Sequence, residues 1–595
     1  MENESIKFIW KYYEILHGKS NIDERDKIGL LYVLSYIKIF KEKSFNIALN
    51  CRNYNTIEFI SSVKEAPFEV GSESRDPKNM EIIYKELERI SYSVKELSGI
   101  LELFANADKE IARNIFKSSM DKYFRGGFRD IEVTPYNINK LAIELLNISK
   151  DDLVMDIGSG YGDFLTAVID EKCNENISGI EINEFAHNMS KLRISSQTYK
   201  FKLQNRDIFD INFDNKYDKI FCNYPWGFKM DRMRLDRVLW QLKNMRFNWG
   251  KVPGGSMDWL FINCMLTMLK ENGTAITIMP DGPLFKTADN EFKKDLVNNG
   301  LIKAIIKLPS GIFPYTNISS NMVVFDNNKN TKIKFIDASH LITNDGRRQI
   351  LDLDKVLELV KKDKDDFIGY ADIKKIESND YVLTVDYYLS NSEIEYHNPK
   401  KLNDYIVDIF RGLQINPSEI EQLSDPKGEY EILRISDIED GIISNDLIRV
   451  SIENNKYDRY LINNSDVIIT SKGTRIKIAV ANIGDRKIIA NGNLIVLRVD
   501  SSKLNPYYLA MYLSSKEGNT ILNRIQTGRM ILSINPRKLA DITISTIDLE
   551  KQNEVAKKYQ CLQEQLIFAK KHLKDLMREQ DEYFDKEVVR MFDYE

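Results

Sequence analysis

The chain has 595 residues, 43% hydrophobic and 29% charged, a composition typical of a folded protein with several domains. Its formal net charge of -5 excludes a uniformly basic nucleic-acid-binding protein, although a local basic surface remains compatible with it. Five scattered cysteines without metal-ligand spacing, and the lack of a long apolar run, predict a cytoplasmic protein with no structural metal and no membrane contact.

Residues 1–120 predict an N-terminal α-helical domain, because apolar residues recur at helical spacing and prolines are rare. The clearest stretches are IKFIWKYYEIL, IGLLYVLSYIKIF and IIYKELERISYSVKELSGILELF. No metal-dependent nuclease motif stands out in this region, so we interpret it as a packing domain.

Residues 121–394 show a different pattern, in which short Val- and Ile-rich runs alternate with helical stretches. The runs are DLVMDIG, ISGIEIN, YDKIFCN, GTAITIMP, IKAIIKLP and SNMVVFD, and the helical stretches include NINKLAIELLNI, FAHNMSKLRIS, DWLFINCMLTMLKEN and NEFKKDLVNNG. This alternation predicts an α/β domain with a mostly parallel sheet covered by helices on both faces.

A glycine-rich turn follows the first predicted strand, where Gly158, Gly160 and Gly162 lead into a helix. Glycine allows a tight turn and a close approach of the backbone to a ligand. Glu181 lies 21 residues after Gly160, at the end of the next strand, where an acid can hold two ribose hydroxyls. The turn alone fits a dinucleotide as well as S-adenosylmethionine.

Two further acids favour S-adenosylmethionine. Asp156 precedes the glycines, where a carboxylate can meet an ammonium group. Asp207 ends a third segment, where it can contact an adenine amino group, although an ordinary strand-end turn also explains it.

The segment after the fourth strand reads Asn223-Tyr224-Pro225-Trp226. An exocyclic amino group on a base is a poor nucleophile, because its lone pair is delocalised into the ring. The amide oxygen of Asn223 and the carbonyl of Tyr224 could accept its hydrogens, and the ring of Trp226 could stack on a base extruded from the duplex. An Asn-x-Pro turn is the alternative, but the position beside the cofactor acids favours catalysis.

The order of these motifs resembles the gamma group of DNA amino-methyltransferases. The resemblance begins with Gly127-Phe128 and Thr134-Pro135 and continues through the glycine turn to the reaction motif. Residues 258–325 further resemble the modification subunit of type I restriction–modification systems. The resemblance implies a Rossmann-like S-adenosylmethionine-dependent methyltransferase domain, with Thr134 and Pro135 at the cofactor.

The sequence departs from the family's motifs at two positions, and one motif residue indicates which base is methylated. The family's motif usually has Pro where Tyr224 stands, and its usual Asp-Pro is Asp156-Ile157 here. Neither change removes a catalytic atom. Asn rather than Ser at the first motif position, Asn223, favours adenine over cytosine.

A basic insertion with interleaved aromatic residues follows the reaction motif, between Phe228 and Lys251. Such a composition suits phosphate contacts and stacking near an extruded base, whereas a solvated helical face is the alternative. The predicted DNA contacts in this insertion are Arg232, Arg234, Arg237, Lys243 and Arg246.

From about residue 402, strand-like pieces separated by turns resemble one target-recognition module of a type I specificity subunit. The pieces are EYEILRISDIEDGII, SDVIITSKGTRIKIAV, NPYYLAMYLSS and GRMILSINPRKLADITIS. We expect an α+β target-recognition domain followed by a long α-helix. The cations predicted to contact phosphates or bases are Lys472, Arg475, Lys477, Arg524 and Arg529.

The helix that begins at Leu549 carries an apolar heptad stripe. The stripe consists of Val555, Tyr559, Leu562, Leu566, Ala569, Leu573 and Leu576. Sustained heptads predict coiled-coil pairing, with a second copy of the chain or with a separate specificity subunit. An amphipathic helix that packs on its own domain is the alternative.

These patterns together predict a sequence-specific adenine methyltransferase that acts on double-stranded DNA in a restriction–modification or phage-defence system. Its predicted domains are residues 1–120, 121–394, 395–548 and 549–595. One alternative is a catalytically silent DNA-binding subunit. Another is a component of a complex whose restriction nuclease is a separate subunit, since no nuclease motif is visible in this chain.

Overall fold

The computed structural model divides the chain into two compact units, Met1–Leu389 and Ser390–Glu595. The residues that the structure describes are 2–16, 22–49, 56–68, 77–91, 98–120, 133–198, 200–214, 216–241, 245–249, 257–345, 348–389, 397–452, 455–471, 476–527 and 533–592. Among these residues, no helix combines the length and the apolar character needed to cross a membrane.

The first unit begins with packed helices, as the sequence predicts. They are α1 (Glu2–Leu16), α2 (Glu24–Phe40), α3 (Lys43–Leu49), α4 (Thr56–Glu65), α5 (Pro77–Ser91), α6 (Ser98–Ala105) and α7 (Lys109–Lys117). Asp23 caps α2 by accepting a hydrogen bond from the backbone N–H of Asp26. From Ile28 to Phe40, α2 is buried on every side, so its sequence is apolar without a polar face.

A mixed sheet with its covering helices follows. The strands are β1 (Val154–Ile157), β2 (Ile177–Glu181), β3 (Phe201–Asn205), β4 (Tyr217–Cys222), β5 (Leu269–Pro280), β6 (Ile302–Lys307), β7 (Ser320–Asp326), β8 (Lys332–Asp337), β9 (Ile342–Asp345), β10 (Arg348–Leu351) and β11 (Ile368–Asp372). The helices are α8 (Tyr136–Leu146), α9 (Asp163–Lys172), α10 (Glu184–Ser195), α11 (Arg232–Gln241), α12 (Asp258–Met268), α13 (Asp281–Phe285), α14 (Asn290–Asn298), α15 (Leu353–Lys361), α16 (Ile373–Ser378) and α17 (Val385–Leu389).

Nine of these strands form the mixed sheet, in the order β11-β8-β6-β7-β5-β4-β1-β2-β3, whereas β9 and β10 pair with each other in a separate antiparallel hairpin. Strands β1 to β5 pair in parallel, as predicted. Strand β7, however, runs antiparallel between β5 and β6, and β11 is antiparallel to β8. A continuous apolar run such as MVVF is compatible with either direction of a buried strand, so the sequence does not reveal this reversal.

One predicted helix is shorter than expected. The helical character of DWLFINCMLTMLKEN ends at Met268, and β5 begins at Leu269. All eleven residues of α12 are buried. Because α12 is buried on every side, its sequence lacks the alternation of apolar and polar residues that marks a half-exposed helix. The sequence therefore does not show where the helix ends and the strand begins.

The parallel strands place the predicted site at one edge of the sheet. Strand β1 pairs with β2 on one side and with β4 on the other, with Ile157 opposite Ile180 and Cys222. The glycine turn, Glu181 and Asn223 lie at or just after these strand ends. The carboxyl edge of β1, β2 and β4 therefore brings them together, as is usual for ligand sites in open α/β sheets.

The second unit is an α+β domain that ends in a long helix. Its strands are β12 (Pro399–Lys401), β13 (Ile406–Arg411), β14 (Tyr430–Leu433), β15 (Ile438–Glu439), β16 (Ile442–Ile443), β17 (Ile448–Val450), β18 (Val467–Thr470), β19 (Ile478–Val480), β20 (Lys487–Ala490), β21 (Leu494–Val499), β22 (Gln526–Thr527), β23 (Ser533–Ile534) and β24 (Thr543–Ser545). Its helices are α18 (Pro417–Leu423), α19 (Pro506–Ser514), α20 (Lys516–Ile525), α21 (Pro536–Ala540) and α22 (Leu549–Phe592).

Two small sheets form the body of this unit. Strands β13-β21-β18-β19 form an antiparallel sheet, and β17-β14-β20 form a second sheet. Side chains of β18 and β21 alternate between two buried clusters, one that includes Ile469 and Ile495 and another that includes Ile468 and Val496. Apolar residues on both faces explain why these strands read as continuous Val- and Ile-rich runs.

Helix α22 contacts its own unit through one face near its start. The side-chain oxygen of Gln552 accepts a hydrogen bond from the backbone of Asn505 at 2.9 Å, and Gln563 donates to the carbonyl of Gly441 at 3.2 Å. Leu562 of the predicted apolar stripe remains 55% exposed. Much of the stripe therefore lies beside the face that packs on the unit and not on it. The stripe residues Val555, Leu566 and Leu576 are exposed as well.

Candidate functional site

A cavity of about 560 Å³ opens at the carboxyl edge of β1, β2 and β4. This volume lies within the range typical of small-molecule sites, about 300–1,000 Å³. Residues predicted to bind the cofactor and residues predicted to act in catalysis both line this cavity. Pro135 and Gly162 do not line it, although their neighbours in sequence do. The lining residues from these two groups are Thr134, Asp156, Gly158, Gly160, Glu181, Asp207, Asn223, Tyr224, Pro225 and Trp226.

The glycine turn needs glycine for two physical reasons. Gly158, Gly160 and Gly162 have φ values of 72°, 49° and 80°, in the left-handed region that favours glycine. A Cβ atom on Gly162 would also lie 2.5 Å from the hydroxyl of Ser190. Glycine thus permits both the left-handed turn at the start of α9 and its close packing against α10.

Glu181 fixes this turn to the end of β2. Its two carboxylate oxygens accept backbone hydrogen bonds from Gly160 at 2.8 Å and from Asn183 at 2.7 Å. Each oxygen of a carboxylate can accept more than one hydrogen bond, so these contacts leave capacity for a ligand's hydroxyl groups.

Asp156 lies near the end of β1 and is only 3% exposed. Burial raises the pKa of its carboxyl group well above the usual value of 3.8, and the nearby charges of Glu181 and Asp163 raise it further. Burial also raises the pKa of Glu181. The carboxylates of Asp156, Glu181 and Asp163 raise one another's energy when they are ionised, so a cationic group of a ligand placed among them would relieve this repulsion.

Asp207 and Arg234 are in contact, although the sequence assigns them to different tasks. Asp207 accepts a hydrogen bond from the backbone of Phe209 at 3.1 Å and forms an ion pair with Arg234 of α11. The guanidinium group of Arg234 lies 5.3 Å from the ring centre of Phe228. Arg234, which the sequence predicts to bind DNA, therefore lies on the wall of the cavity.

Asn223 follows β4, and its carboxamide has a defined orientation. Its Nδ2 donates a hydrogen bond to Oγ1 of Thr134 at 2.8 Å. Its Oδ1 is buried and has no hydrogen-bond partner in the described part of the chain. A buried acceptor without a partner is costly, so it is a candidate for binding a donor on a ligand.

Tyr224 is anchored by its side chain. It is 2% exposed, and its ring stacks on Phe261 with ring centres 4.9 Å apart and planes 7° apart. Burial raises the pKa of its hydroxyl well above the usual value of 10.0, and the negative charge of the nearby Asp258 raises it further. Packing of a large ring in the core thus restrains a loop that lacks the family's proline at this position.

The ring of Trp226 is half-buried and held at both ends. Its indole N–H donates to the carbonyl of Ile278 at 3.2 Å, and its ring meets Phe313 edge-on at 5.2 Å. Tyr315 lies 6.4 Å from Trp226, and with Thr316 and Ile318 it lines the same cavity. The sequence prediction does not include these loop residues, although the aromatic residues after the end of β6 are a signal that could have identified them.

Of the DNA contacts predicted in the insertion that the structure describes, Arg232, Arg234 and Arg237 share α11, whereas Arg246 lies elsewhere. Arg232 is exposed on α11, and Arg237 pairs with Asp210 at 3.0 Å. Arg246 donates to Asn327 at 2.7 Å. Asn327 follows the end of β7 and also bonds the backbone of Lys270, so Arg246 lies at the opposite edge of the sheet from the cavity.

In the second unit, Lys477 forms hydrogen bonds with backbone carbonyl groups of its own domain. Its ammonium group donates to the carbonyls of Ile435 at 3.1 Å and Ile438 at 2.7 Å. Gly127, Phe128, Lys243, Lys472, Arg475 and Arg529 lie outside the described residues, and of Arg524 only the backbone, in α20, is described.

Comparison with known families gives two adjacent matches. Residues 131–397 match the model of the N-6 DNA methylase family. Residues 399–576 match the model of the type I restriction modification DNA specificity domain.

Curated relatives of the chain include two type I methylase subunits. The MpnII methylase subunit of Mycoplasma pneumoniae is 26% identical over 337 residues, which cover 51% of this chain and 61% of that protein. The MjaVII methylase subunit of Methanocaldococcus jannaschii is 27% identical over 288 residues, which cover 43% of this chain and 48% of that protein. The chain thus spans about half to three-fifths of the length of these relatives.

A solved structure shares the fold. The methyltransferase subunit of a type I restriction-modification system from Streptococcus thermophilus is similar with a TM-score of 0.52 and 17% sequence identity. The match covers 66% of this chain and 100% of that one.

Proposed function

We propose that the chain, in which a match to the N-6 DNA methylase family is followed by a match to the type I DNA specificity domain, is a sequence-specific adenine methyltransferase of double-stranded DNA. The observation that carries this proposal is the carboxamide of Asn223. Its nitrogen is bound to Thr134, and its oxygen has no partner among the described residues. Asn223 and Thr134 both line a cavity that the acids and the glycine turn line as well.

S-adenosylmethionine is the proposed methyl donor, and it would supply an electrophilic methyl group on a sulfonium centre. The residues present fit it, because the glycine turn leaves space for a ligand and the buried acids around Asp156 favour a cation. Asp156 would hold the ammonium group and Glu181 the ribose hydroxyls. Asp207 would contact the adenine amino group, and Pro135 would support the loop that carries Thr134.

The proposed reaction takes place at the exocyclic nitrogen of an extruded adenine. The Oδ1 atom of Asn223 and the backbone carbonyl of Tyr224 accept its two hydrogens, which localises the lone pair on nitrogen and stabilises the positive charge that develops during attack. The ring of Trp226 stacks on the base. After the methyl group is transferred, the nitrogen loses one proton to solvent and becomes neutral.

Binding of the cofactor should become tighter as the pH rises. The raised pKa of Asp156 keeps its carboxyl group protonated over part of the acidic range above 3.8, whereas an ammonium group requires the carboxylate. Binding therefore releases a proton, and the dissociation constant should fall as the pH rises through the pKa of Asp156. Calorimetric titration with S-adenosylmethionine at several pH values between about 5 and 8 would measure this.

Asp156→Asn should weaken cofactor binding and remove most of this pH dependence. Asp170→Asn is the control for the loss of one carboxylate, because Asp170 lies on α9 and does not line the cavity. An unchanged pH profile in Asp156→Asn would show that another group controls the profile.

The basic insertion after the reaction motif and the second unit would both contact DNA. Helix α11 exposes Met233 and Trp240, which are 84% and 67% exposed, beside Arg232. Apolar and basic side chains together suit stacking and phosphate contact. The specificity domain would select the sequence, and a restriction nuclease, where one acts, would be a separate subunit.

The direct test is methylation-aware sequencing of DNA from cells that express this chain alone. We expect methylated adenine in one sequence motif. A chain that lacks residues 395–595 should still bind S-adenosylmethionine but should not methylate that motif, since the specificity domain is removed. If the full-length chain binds cofactor and DNA without methylating either strand, it acts as a silent specificity subunit. If the truncated chain methylates the same motif, the proposed division of labour is wrong.

We expect the apolar stripe of α22 to pair with another copy of the helix or with a separate specificity subunit. Leu562→Lys with Leu566→Lys would place charges in the paired seam, at a cost of about 3–5 kcal/mol if they are buried without partners. Light scattering should then show loss of the assembly. Phe568→Lys is the matched control, because Phe568 is exposed on a different face of the helix. A fully active monomer of the wild-type protein would exclude pairing.

A further inference from the structure

Thr134 lies between two asparagine side chains in the wall of the cavity. Asn223 donates from Nδ2 to the Thr134 hydroxyl oxygen at 2.8 Å, and Asn139 donates from Nδ2 to the Thr134 carbonyl oxygen at 3.3 Å. Asn139 belongs to α8 and is only 1% exposed. Its Oδ1, like that of Asn223, has no hydrogen-bond partner among the described residues. Both carboxamides therefore present their nitrogen to Thr134.

The orientation of the Asn223 carboxamide decides whether it can assist methyl transfer. A carboxamide has an acceptor at one end and a two-hydrogen donor at the other. Only the oxygen can accept a hydrogen from the amino group of a base, whereas the NH₂ end would repel that group. In the structure Thr134 accepts from the nitrogen, which leaves the oxygen available, and a hydroxyl whose own hydrogen is given to another partner can only accept and so selects this rotamer.

The position of Thr134 is itself restrained. Pro135 follows it directly and restricts its backbone to extended conformations. The hydrogen bond from the buried Asn139 holds its carbonyl group. The hydroxyl is thus presented to Asn223 by a fixed segment, although the two residues are separated by 89 positions in the chain.

We propose that Thr134 is a positioning residue that sets the orientation of the Asn223 carboxamide for reaction with the target amino group. This inference rests on the proposed methyl transfer. It differs from the role implied by family resemblance, in which Thr134 contacts the cofactor. A hydroxyl that accepts from Asn223 keeps its own hydrogen for a second partner, so a contact with the cofactor is compatible with it. The rate of methyl transfer should nevertheless depend on Thr134 more strongly than cofactor affinity does.

The test compares three variants of the full-length protein in single-turnover methylation of DNA at saturating S-adenosylmethionine. Thr134→Val keeps the shape but removes the hydroxyl, and we expect the rate to fall about tenfold, as for the loss of one hydrogen bond. Thr134→Ser restores the hydroxyl and should react within about threefold of the wild-type rate. Thr134→Ala is a second variant without the hydroxyl, in case valine disturbs folding. Calorimetric titration should show that cofactor affinity changes by less than about threefold in each.

A carboxylate in place of the Asn223 carboxamide gives a readout that a purely structural role would not change. Aspartate presents an oxygen at both ends, so it needs no partner to choose its rotamer. We therefore expect Thr134→Val to slow Asn223→Asp by less than about twofold, compared with about tenfold in the wild-type background. If Asn223→Asp itself is inactive, the methylation rates and cofactor affinities of the Thr134 variants test the inference by themselves.

Three results would overturn the inference. The first is a wild-type rate in Thr134→Val and Thr134→Ala. The second is a loss of cofactor affinity with an unchanged rate at saturation, which would make Thr134 a cofactor-binding residue only. The third is that Thr134→Val slows the wild-type enzyme and the Asn223→Asp enzyme by the same factor. A wild-type protein that binds cofactor but never methylates DNA would instead refute the proposed function, and the inference with it.

Discussion

Asn223→Ala is expected to reduce the rate of methyl transfer by about 100- to 1,000-fold, the cost usual for removing a group that stabilises developing charge. The oxygen of this side chain is the buried acceptor, without a partner among the described residues, that the proposed reaction uses. Cofactor affinity should change little, because the acids and the glycine turn that would hold the cofactor lie on other strands. Single-turnover methylation and calorimetric titration would measure the two quantities separately.

Asn317→Ala is a suitable control for this experiment. Asn317 is an exposed asparagine in the loop between β6 and β7, next to the cavity residues Thr316 and Ile318 but not among the lining residues. Its replacement should leave turnover near the wild-type value. Near-normal turnover in Asn223→Ala would refute the proposed mechanism, whereas an equal loss in both variants would point to a general disturbance of this edge of the sheet.

Arg193→Leu is expected to destabilise the first unit by about 3–5 kcal/mol, the range for breaking a buried ion pair by removing one partner. Arg193 is fully buried on α10 and pairs with Asp163 at 3.0 Å. Its guanidinium group also donates to the carbonyls of Phe116, Ser118 and Tyr161. The substitution would leave a buried carboxylate and three carbonyl groups without this donor.

The same residue connects the helical region to the glycine turn. Phe116 is the last but one residue of α7, whereas Tyr161 and Asp163 belong to the turn and to the start of α9. Arg193→Leu should therefore lower cofactor affinity in addition to stability. Urea denaturation and calorimetric titration would measure these effects.

Arg113→Leu is the control for Arg193→Leu. It removes an exposed pair with Glu110 and should cost at most about 1 kcal/mol. Equal stabilities of the two variants would contradict the proposed importance of Arg193.

The parts of the site that the sequence predicts are those encoded over short distances. Strand–turn–helix patterns place the glycine turn, and parallel strands bring the residues that follow them to one edge. Asp156, Glu181 and Asn223 could therefore be assigned to one cavity from their positions at the ends of strands. The long helix α22 could likewise be predicted to begin at Leu549, because its periodicity is sustained.

The remaining features depend on contacts between distant segments, which periodicity does not encode. The hydrogen bond of Asn223 with Thr134 and the ion pair of Arg234 with Asp207 join residues that short motifs assign to separate tasks. The reversal of β7 and the boundary between α12 and β5 occur in sequence that is apolar throughout. In such stretches the sequence predicts that a segment is buried, but it does not predict the direction of a strand or the residues at which an element begins and ends.

The division of the chain has a consequence for inheritance. The two units meet in sequence once, at Leu389 and Ser390, and each described hydrophobic cluster draws its residues from one unit. A single recombination breakpoint at this position would replace the entire second unit without cutting a described core. Under the proposed function, one genetic exchange would give the same methylating domain a new target, and every mark that this enzyme places would change with it.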